Sequence, residues 1–272
     1  MQSIDAAALV GGVFAGFLGA LVGIGGGVFL VPLLNTVLGL SFAEARGVSL
    51  IGVLGTSSSA AMAPTNRRAV NPRLAVFLLF FSVIGATLGA KYIDLFPESI
   101  NQVMFGVAAA AVAILMLARR NIRNVLPANT TDLGPFGGRM HDDEMGCEVA
   151  YRLKRVPVAA GISFVAGGLS SLIGIGGGII IVPALNSLCG VPMRVAAATS
   201  VMMVGVTSIP GTLASWQLGF LGDLHVAGLT CLGTLAGFQV GLRLCPYIPV
   251  KWLKVGMACL LAAVSIQYLF FR

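Results

Sequence analysis

Residues 16–35, GFLGALVGIGGGVFLVPLLN, and residues 167–186, GGLSSLIGIGGGIIIVPALN, are two copies of one segment. At a constant offset of 151, Gly23, Gly25, Gly26, Gly27, Val31, Pro32 and Asn35 fall on Gly174, Gly176, Gly177, Gly178, Val182, Pro183 and Asn186. The register continues without gaps through Gly39/Gly190, Ser49/Ser200, Thr56/Thr207 and Ser57/Ser208. A duplicated apolar segment interrupted by glycine is the pattern of a membrane carrier whose site lies between its repeats.

The surrounding sequence sets the solvent. Apolar residues are 57% of the 272 and charged residues 10%, against about a quarter charged in a soluble domain. Residues 6–43 and 156–193 are each 38 residues without a charge. As one helix such a stretch would be about 57 Å long, while a bilayer core is about 30 Å thick. Each is broken at GIGGG, and a proline follows five residues later. Proline favours the first helical position, so the expected pattern is a helix ending near 22 (or 173), a glycine break inside the membrane, and a short helix starting near 31 (or 182). Each half then carries five apolar segments. The expected fold is all-α and polytopic, built from two inverted repeats (1–118 and 156–272), each with a glycine-broken helical hairpin, joined by a cytoplasmic linker (119–155).

The basic residues choose the orientation. With each broken pair counted as two passes, 14 Lys and Arg gather on one side and 3 on the other; with one pass per pair the split is 11 to 6. Cytoplasmic loops carry the excess, which favours the inverted arrangement with both termini outside. MQSID has no basic n-region, so the first apolar run reads as part of the mature protein. The net charge of +7 sits beside the spans and reads as topology, with the bilayer rather than nucleic acid as partner. Cys147, Cys189, Cys231, Cys245 and Cys259 show no paired spacing. The 119–155 linker reads as a solvated connector with a short hairpin, and its run His141, Asp142, Asp143, Glu144 is a weak metal site, so no metal and no cofactor are expected.

The breaks suit an anion. The first four N–H groups of a helix lack internal partners, and the helix dipole is positive there. Glycine lets a ligand approach the backbone. Gly25, Gly26, Gly27 and Gly176, Gly177, Gly178 are therefore candidate substrate contacts; the alternative is that they permit close helix packing. Asn35 and Asn186, placed on the first turn of the short helix, either donate to an anion or bond the broken backbone. Ser49, Thr56, Ser57, Ser200, Thr207 and Ser208 are hydroxyls that either line the path or bond their own helices. Arg46 and Arg194 lie at helix ends, as anion-attracting gates or interfacial anchors. The glycine spacing fits neither a dinucleotide fingerprint nor a P-loop, and nothing assembles a nucleophile with a base, so no enzyme is expected.

The duplicated GxGGGxxxVPxLN element, the string GVPMRVAAATSVMMVGVTSIPG that follows its second copy, the GxxxG pairs Gly85/Gly89 and Gly233/Gly237, and the stretches LFPESINQVMFG and LCPYIPVKWLKVGMA together resemble the TauE/SafE sulfite exporter family. The likeness covers nearly the whole chain. It implies a transporter of the bacterial or archaeal inner membrane that moves small sulfur-containing anions such as sulfite or an organosulfonate, usually outward. Another small anion or a thiol-containing solute is the second reading of the substrate. From another class, a membrane scaffold or sensor signalling through 119–155 is the rival. A homo-oligomer is compatible with either.

Overall fold

The computed structural model describes residues 2–62, 70–93, 95–118, 126, 132–142, 147–244 and 250–270. The first half is α1 (Gln2–Val22), α2 (Gly27–Val37), α3 (Phe42–Met62), α4 (Pro72–Lys91) and α5 (Glu98–Ala118). The second is α6 (Val156–Ile173), α7 (Gly178–Leu188), α8 (Met193–Gln217), α9 (Leu224–Leu244) and α10 (Val250–Phe270). Between them lies an antiparallel hairpin, β1 (Gly138–Asp142) and β2 (Cys147–Tyr151). The chain is thus all-α apart from this hairpin. Among the described residues α1, α4, α6, α8 and α9 are long and apolar enough to cross a membrane.

Local chemistry sets several helix starts. Ser41 and Glu44 form a capping box: Glu44 Oε2 accepts from Ser41 N at 3.0 Å and Ser41 Oγ from Glu44 N at 3.3 Å. Asn71 caps α4 by accepting from Leu74 N at 3.1 Å, with Pro72 just inside the helix, where its missing N–H costs nothing.

The two halves exchange helices. The first helix of each packs on the fourth of the other, α1 on α9 and α6 on α4. Small residues bring the backbones together. Gly16 sits on the Thr234 carbonyl and Gly237 on that of Val13; Gly167 sits on the Ser82 carbonyl and Gly85 on that of Phe164. These contacts are the same pair repeated at offsets of 151 (first helices) and 152 (fourth helices). They align Gly85 with Gly237, one turn on from the Gly233 suggested by the GxxxG spacing. Along both pairs the partners ascend together, so these helices run parallel.

The third helices behave differently. Gly47 packs on Ser215, Gly211 on Leu50 and Gly205 on Ser57, so α3 and α8 run antiparallel. Two equivalent helices that cross antiparallel are related by an axis perpendicular to their length.

The linker is not wholly a solvated connector. The short hairpin is present, but Met140, Val149, Ala150, Tyr151 and Leu153 are buried. Asn71 Nδ2 donates to Phe136 O and to Tyr151 Oη, each at 2.9 Å, and Asn71 N donates to Thr199 Oγ1 at 3.2 Å. Burial pushes the Tyr151 phenol up and the Asn71 donor partly offsets this, so the phenol stays neutral. Asp143 and Glu144 lie outside the described residues. Among those described, no group of three His, Cys, Asp or Glu could hold a metal.

Candidate functional site

Each break is a short left-handed stretch. Gly23, Gly25 and Gly26 have φ of 75°, 83° and 75°, and Gly174, Gly176 and Gly177 have 80°, 82° and 70°. Only glycine holds such angles without strain. Gly26 and Gly177 are the N-caps of α2 and α7 and make no side-chain cap bond. The short helices therefore start at Gly27 and Gly178, four residues before the expected positions. This puts Pro32 and Pro183 inside the helices rather than at their start. It also moves Asn35 and Asn186 from the first turn to the last.

That shift decides what the asparagines do. Asn35 Nδ2 donates to Leu40 O at 2.8 Å, and Asn186 Nδ2 to Val191 O at 2.9 Å. Both amides tie the C-terminal end of a short helix to the next loop. Of the two readings open from sequence, the geometry gives the backbone bond, about two turns from the break.

The two breaks meet. A Cβ on Gly27 would lie 2.8 Å from Ile175 O and 3.0 Å from Gly174 O; one on Gly178 would lie 2.9 Å from Ile24 O. The N-termini of α2 and α7 are thus brought together in the middle of the molecule. Ser49 links them, its Oγ within 2.8 Å of Gly174 O and 3.2 Å of Gly27 O. Its repeat partner Ser200 is wholly buried, lies against Gly178, and has no hydrogen-bond partner among the described residues. Thr56 Oγ1 lies 2.9 Å from the carbonyls of both Gly25 and Val53, which share its one proton. Thr207 and Ser208 turn back on their own helix, to Val204 O at 3.0 Å and Gly205 O at 2.7 Å. Ser57 reaches Met202 O on α8 at 3.4 Å.

The three glycines of each break face different ways. Gly26 and Gly177 face their own first helices, at the carbonyls of Ala15 and Ala166. Gly25 and Gly176 face the centre, where Val53 and Val204 close over both. These valines were not among the sequence candidates, although they match at the offset of 151.

Arg46 is not an exposed anchor. It is 2% exposed and is the only charged side chain among the buried described residues. Its stem packs on Gly174, Nη1 approaches Leu172 O at 3.4 Å, and the guanidinium lies 5.7 Å from the Phe220 ring centre. A cation at the C-terminal carbonyls of α6 complements that helix dipole. Arg194 is part-exposed at the start of α8, far along the helix from Ser215. The two arginines are not equivalent, because Arg46 matches Ala197.

A family model described as sulfite exporter TauE/SafE matches residues 8–268. The chain is 28% identical over 267 residues to the probable membrane transporter protein YunE of Bacillus subtilis, covering 95% of each. It is 26% identical over 277 residues to a probable membrane transporter protein of Haemophilus influenzae, covering 95% of this chain and 94% of that one. A probable membrane transporter protein of Methanocaldococcus jannaschii is 24% identical over 278 residues, with 95% and 92% covered. No solved structure matches.

Proposed function

Because the chain belongs to the sulfite exporter TauE/SafE family, we propose that it is a secondary transporter that exports a small sulfur-containing anion, sulfite or an organosulfonate. It works as a multi-pass protein of a bacterial or archaeal inner membrane, and the anion binds where the two GIGGG breaks meet. One observation carries the site: the N-termini of α2 and α7 abut, Gly27 against Ile175 and Gly178 against Ile24. Two positive helix ends converging from opposite halves favour an oxyanion without any buried lysine or acid. Ser200 adds a buried hydroxyl with no other partner among the described residues, and Ser49 is a second hydroxyl at the same junction.

The anion contacts in this reading are the backbone at Gly25–Gly27 and Gly176–Gly178, with Ser49, Ser200 and Thr56 as nearby hydroxyls. Thr207, Ser57 and Ser208 support the helix crossing, and Asn35 and Asn186 hold the short helices. The halves are inserted inverted, as the antiparallel run of α3 on α8 supports. The end bearing the hairpin and Arg73 faces the cytoplasm, by the excess of basic residues there. Exchange of the two apposed breaks between outward and inward access is the transport step.

The test uses purified full-length protein in proteoliposomes loaded with labelled sulfite. Efflux above that of empty vesicles, competed by organosulfonates, is the expected result. Thermal stabilisation by sulfite but not by sulfate or phosphate would narrow the class. Vesicles that leak sulfite no faster than controls, with no stabilisation by any of these anions, would overturn the reading.

A further inference from the structure

We infer that Arg46, Ser171 and Ser215 form a second oxyanion site, on one side only of the paired breaks, where α3, α6 and α8 converge. This rests on the reading of the protein as a carrier of small sulfur oxyanions. Ser171 and Ser215 are wholly buried, and neither hydroxyl has a hydrogen-bond partner among the described residues. A buried hydroxyl left unpaired is costly, so two at one junction call for an explanation.

Both serines lie on segments that pack beside the Arg46 turn of α3. Ser171 precedes Leu172, whose carbonyl Arg46 Nη1 approaches. A Cβ on Gly47, the residue after Arg46, would lie 3.3 Å from Ser215 Cβ. Gly211, one turn before Ser215, packs on Ser171 and on Leu50, one turn after Arg46. A planar guanidinium offers parallel donors that match two oxygens of a carboxylate, phosphate or sulfonate group. Two hydroxyls supply further donors for the remaining oxygen. The set suits an anion with three terminal oxygens on one centre, the headgroup shared by sulfite and organosulfonates.

The repeat shows that the site is one-sided. At the offset of 151, Arg46 and Ser171 become Ala197 and Ala20. The backbone frame is retained: Ala197 packs on Gly23 as Arg46 packs on Gly174. One face of the paired breaks therefore has a cation and the Ser171 hydroxyl where the other has the methyl groups of Ala197 and Ala20. An anion leaving the centre past Arg46 meets a second binding step that it does not meet on the other face. The protein should then hold the anion with different affinity from its two ends.

The experiment measures sulfite and methanesulfonate flux from each side of oriented proteoliposomes, with calorimetric binding in detergent, for the full chain. Variants are Arg46→Gln, Arg46→Lys, the pair Ser171→Ala with Ser215→Ala, and Ser163→Ala. Ser163 is an equally buried α6 hydroxyl without a partner among the described residues, more than one turn away from Ser171, and serves as control. Arg46→Gln and the serine pair should each raise the half-saturating concentration about tenfold from one side, as loss of a bond to a charged ligand predicts. Arg46→Lys should recover part of the loss, and Ser163→Ala should match wild type. If Arg46→Gln does not fold, the serine pair decides. An active wild type with a serine pair of unchanged affinity, or with equal losses from both sides, would overturn the second site and leave the transport reading standing. A wild type that neither moves nor binds either anion would sink both.

Discussion

The backbone N–H of Lys154 donates to the carbonyl of Cys189 at 2.7 Å. Lys154 leads into α6 and Cys189 ends α7, so the broken pair folds back on itself. As a single pass, its 33 residues from Val156 to Leu188 would separate those ends by about 50 Å. The short helix returns only about 16 Å, and the linker meets its end through Lys154 on Cys189 and through Arg152 and Lys154 beside Gly190. This hairpin path is the one that gathers the basic residues on one side. In a cysteine-free background, cysteines at Leu95 and Leu224 should react with an impermeant thiol reagent applied to intact cells, whereas cysteines at Asp132 and Glu148 should not. The opposite labelling pattern would reverse the orientation, and equal labelling of all four would refute it.

Contact between Gly27 and the facing break gives a second expectation. Gly27 and Gly178 are helical, so alanine there brings no strained φ, but its methyl would meet carbonyl oxygens at 2.8–2.9 Å. Gly27→Ala and Gly178→Ala should lower the melting temperature and abolish sulfite flux. Gly161→Ala, where a methyl would meet nothing within 4 Å, should be neutral or stabilising by up to about 1 kcal/mol, since glycine is a poor helix former. Thermal melts and flux assays read both. Wild-type flux in Gly27→Ala with an intact melt would show that the breaks need not touch during transport.

The asparagines separate stability from binding. Each amide carries a bond to a loop carbonyl, worth about 0.5–1.5 kcal/mol net. Asn186→Ala should cost more than Asn35→Ala, because Asn186 is buried and Asn35 is only half-buried. Sulfite affinity should stay within about twofold of wild type in both, by the distance of the amides from the breaks. Calorimetry that shows a tenfold loss of affinity at unchanged stability would return these side chains to the site.

What the sequence made legible follows from how strongly each feature constrains residue type. The breaks could be read because left-handed backbone at Gly25, Gly26, Gly176 and Gly177 excludes nearly every other residue. Helix order could be read because long charge-free runs have few uses outside a bilayer. The start of α2 could not. The preference of Pro32 for a first turn is weaker than the gain from burying Gly27 to Val31, all of which are buried. Val53 and Val204 were hidden because a valine in an apolar span looks the same whether it faces lipid or the centre. Arg46 stayed open between an anion-attracting gate and an interfacial anchor because it lies four residues into α3, where both roles look alike in sequence; that α6 ends against it and buries it is a tertiary fact.

Asn71 joins three parts of the chain, since it caps α4, donates to Phe136 and Tyr151 of the linker, and takes its backbone partner from Thr199 of α8. Asn71→Ala removes a cap worth about 1 kcal/mol and both donors to the linker. Asn71→Asp keeps the cap but loses the donors. Alanine should therefore destabilise the protein more than aspartate, while both should expose the 132–151 region to protease. Equal resistance of all three proteins would show that the hairpin is held by its apolar face, through Phe136 on Phe77 and the buried Met140 and Val149.

The last expectation concerns the driving force. A proton-coupled carrier places an ionisable acid inside its spans. Here Glu44 closes a capping box with Ser41, and Glu98 accepts from Phe42 N at 2.7 Å. Both acids are occupied at helix starts, at the end of α3 away from the hairpin. Asp5 lies 3.3 Å from His225 Nδ1 near the start of α9. None of these sits at the breaks. Glutamine preserves the acceptor of a capping box, so Glu44→Gln should leave sulfite flux and its response to an imposed pH gradient unchanged, with a melt close to wild type. Glu44→Ala should lower the melt by an amount matching about 1 kcal/mol and likewise spare flux. The assay is sulfite efflux from proteoliposomes with and without a pH gradient. Loss of flux in Glu44→Gln at an unchanged melt would mean that a carboxylate is part of the transport step, and the helix-end account of anion binding would have to give way to a proton-coupled one.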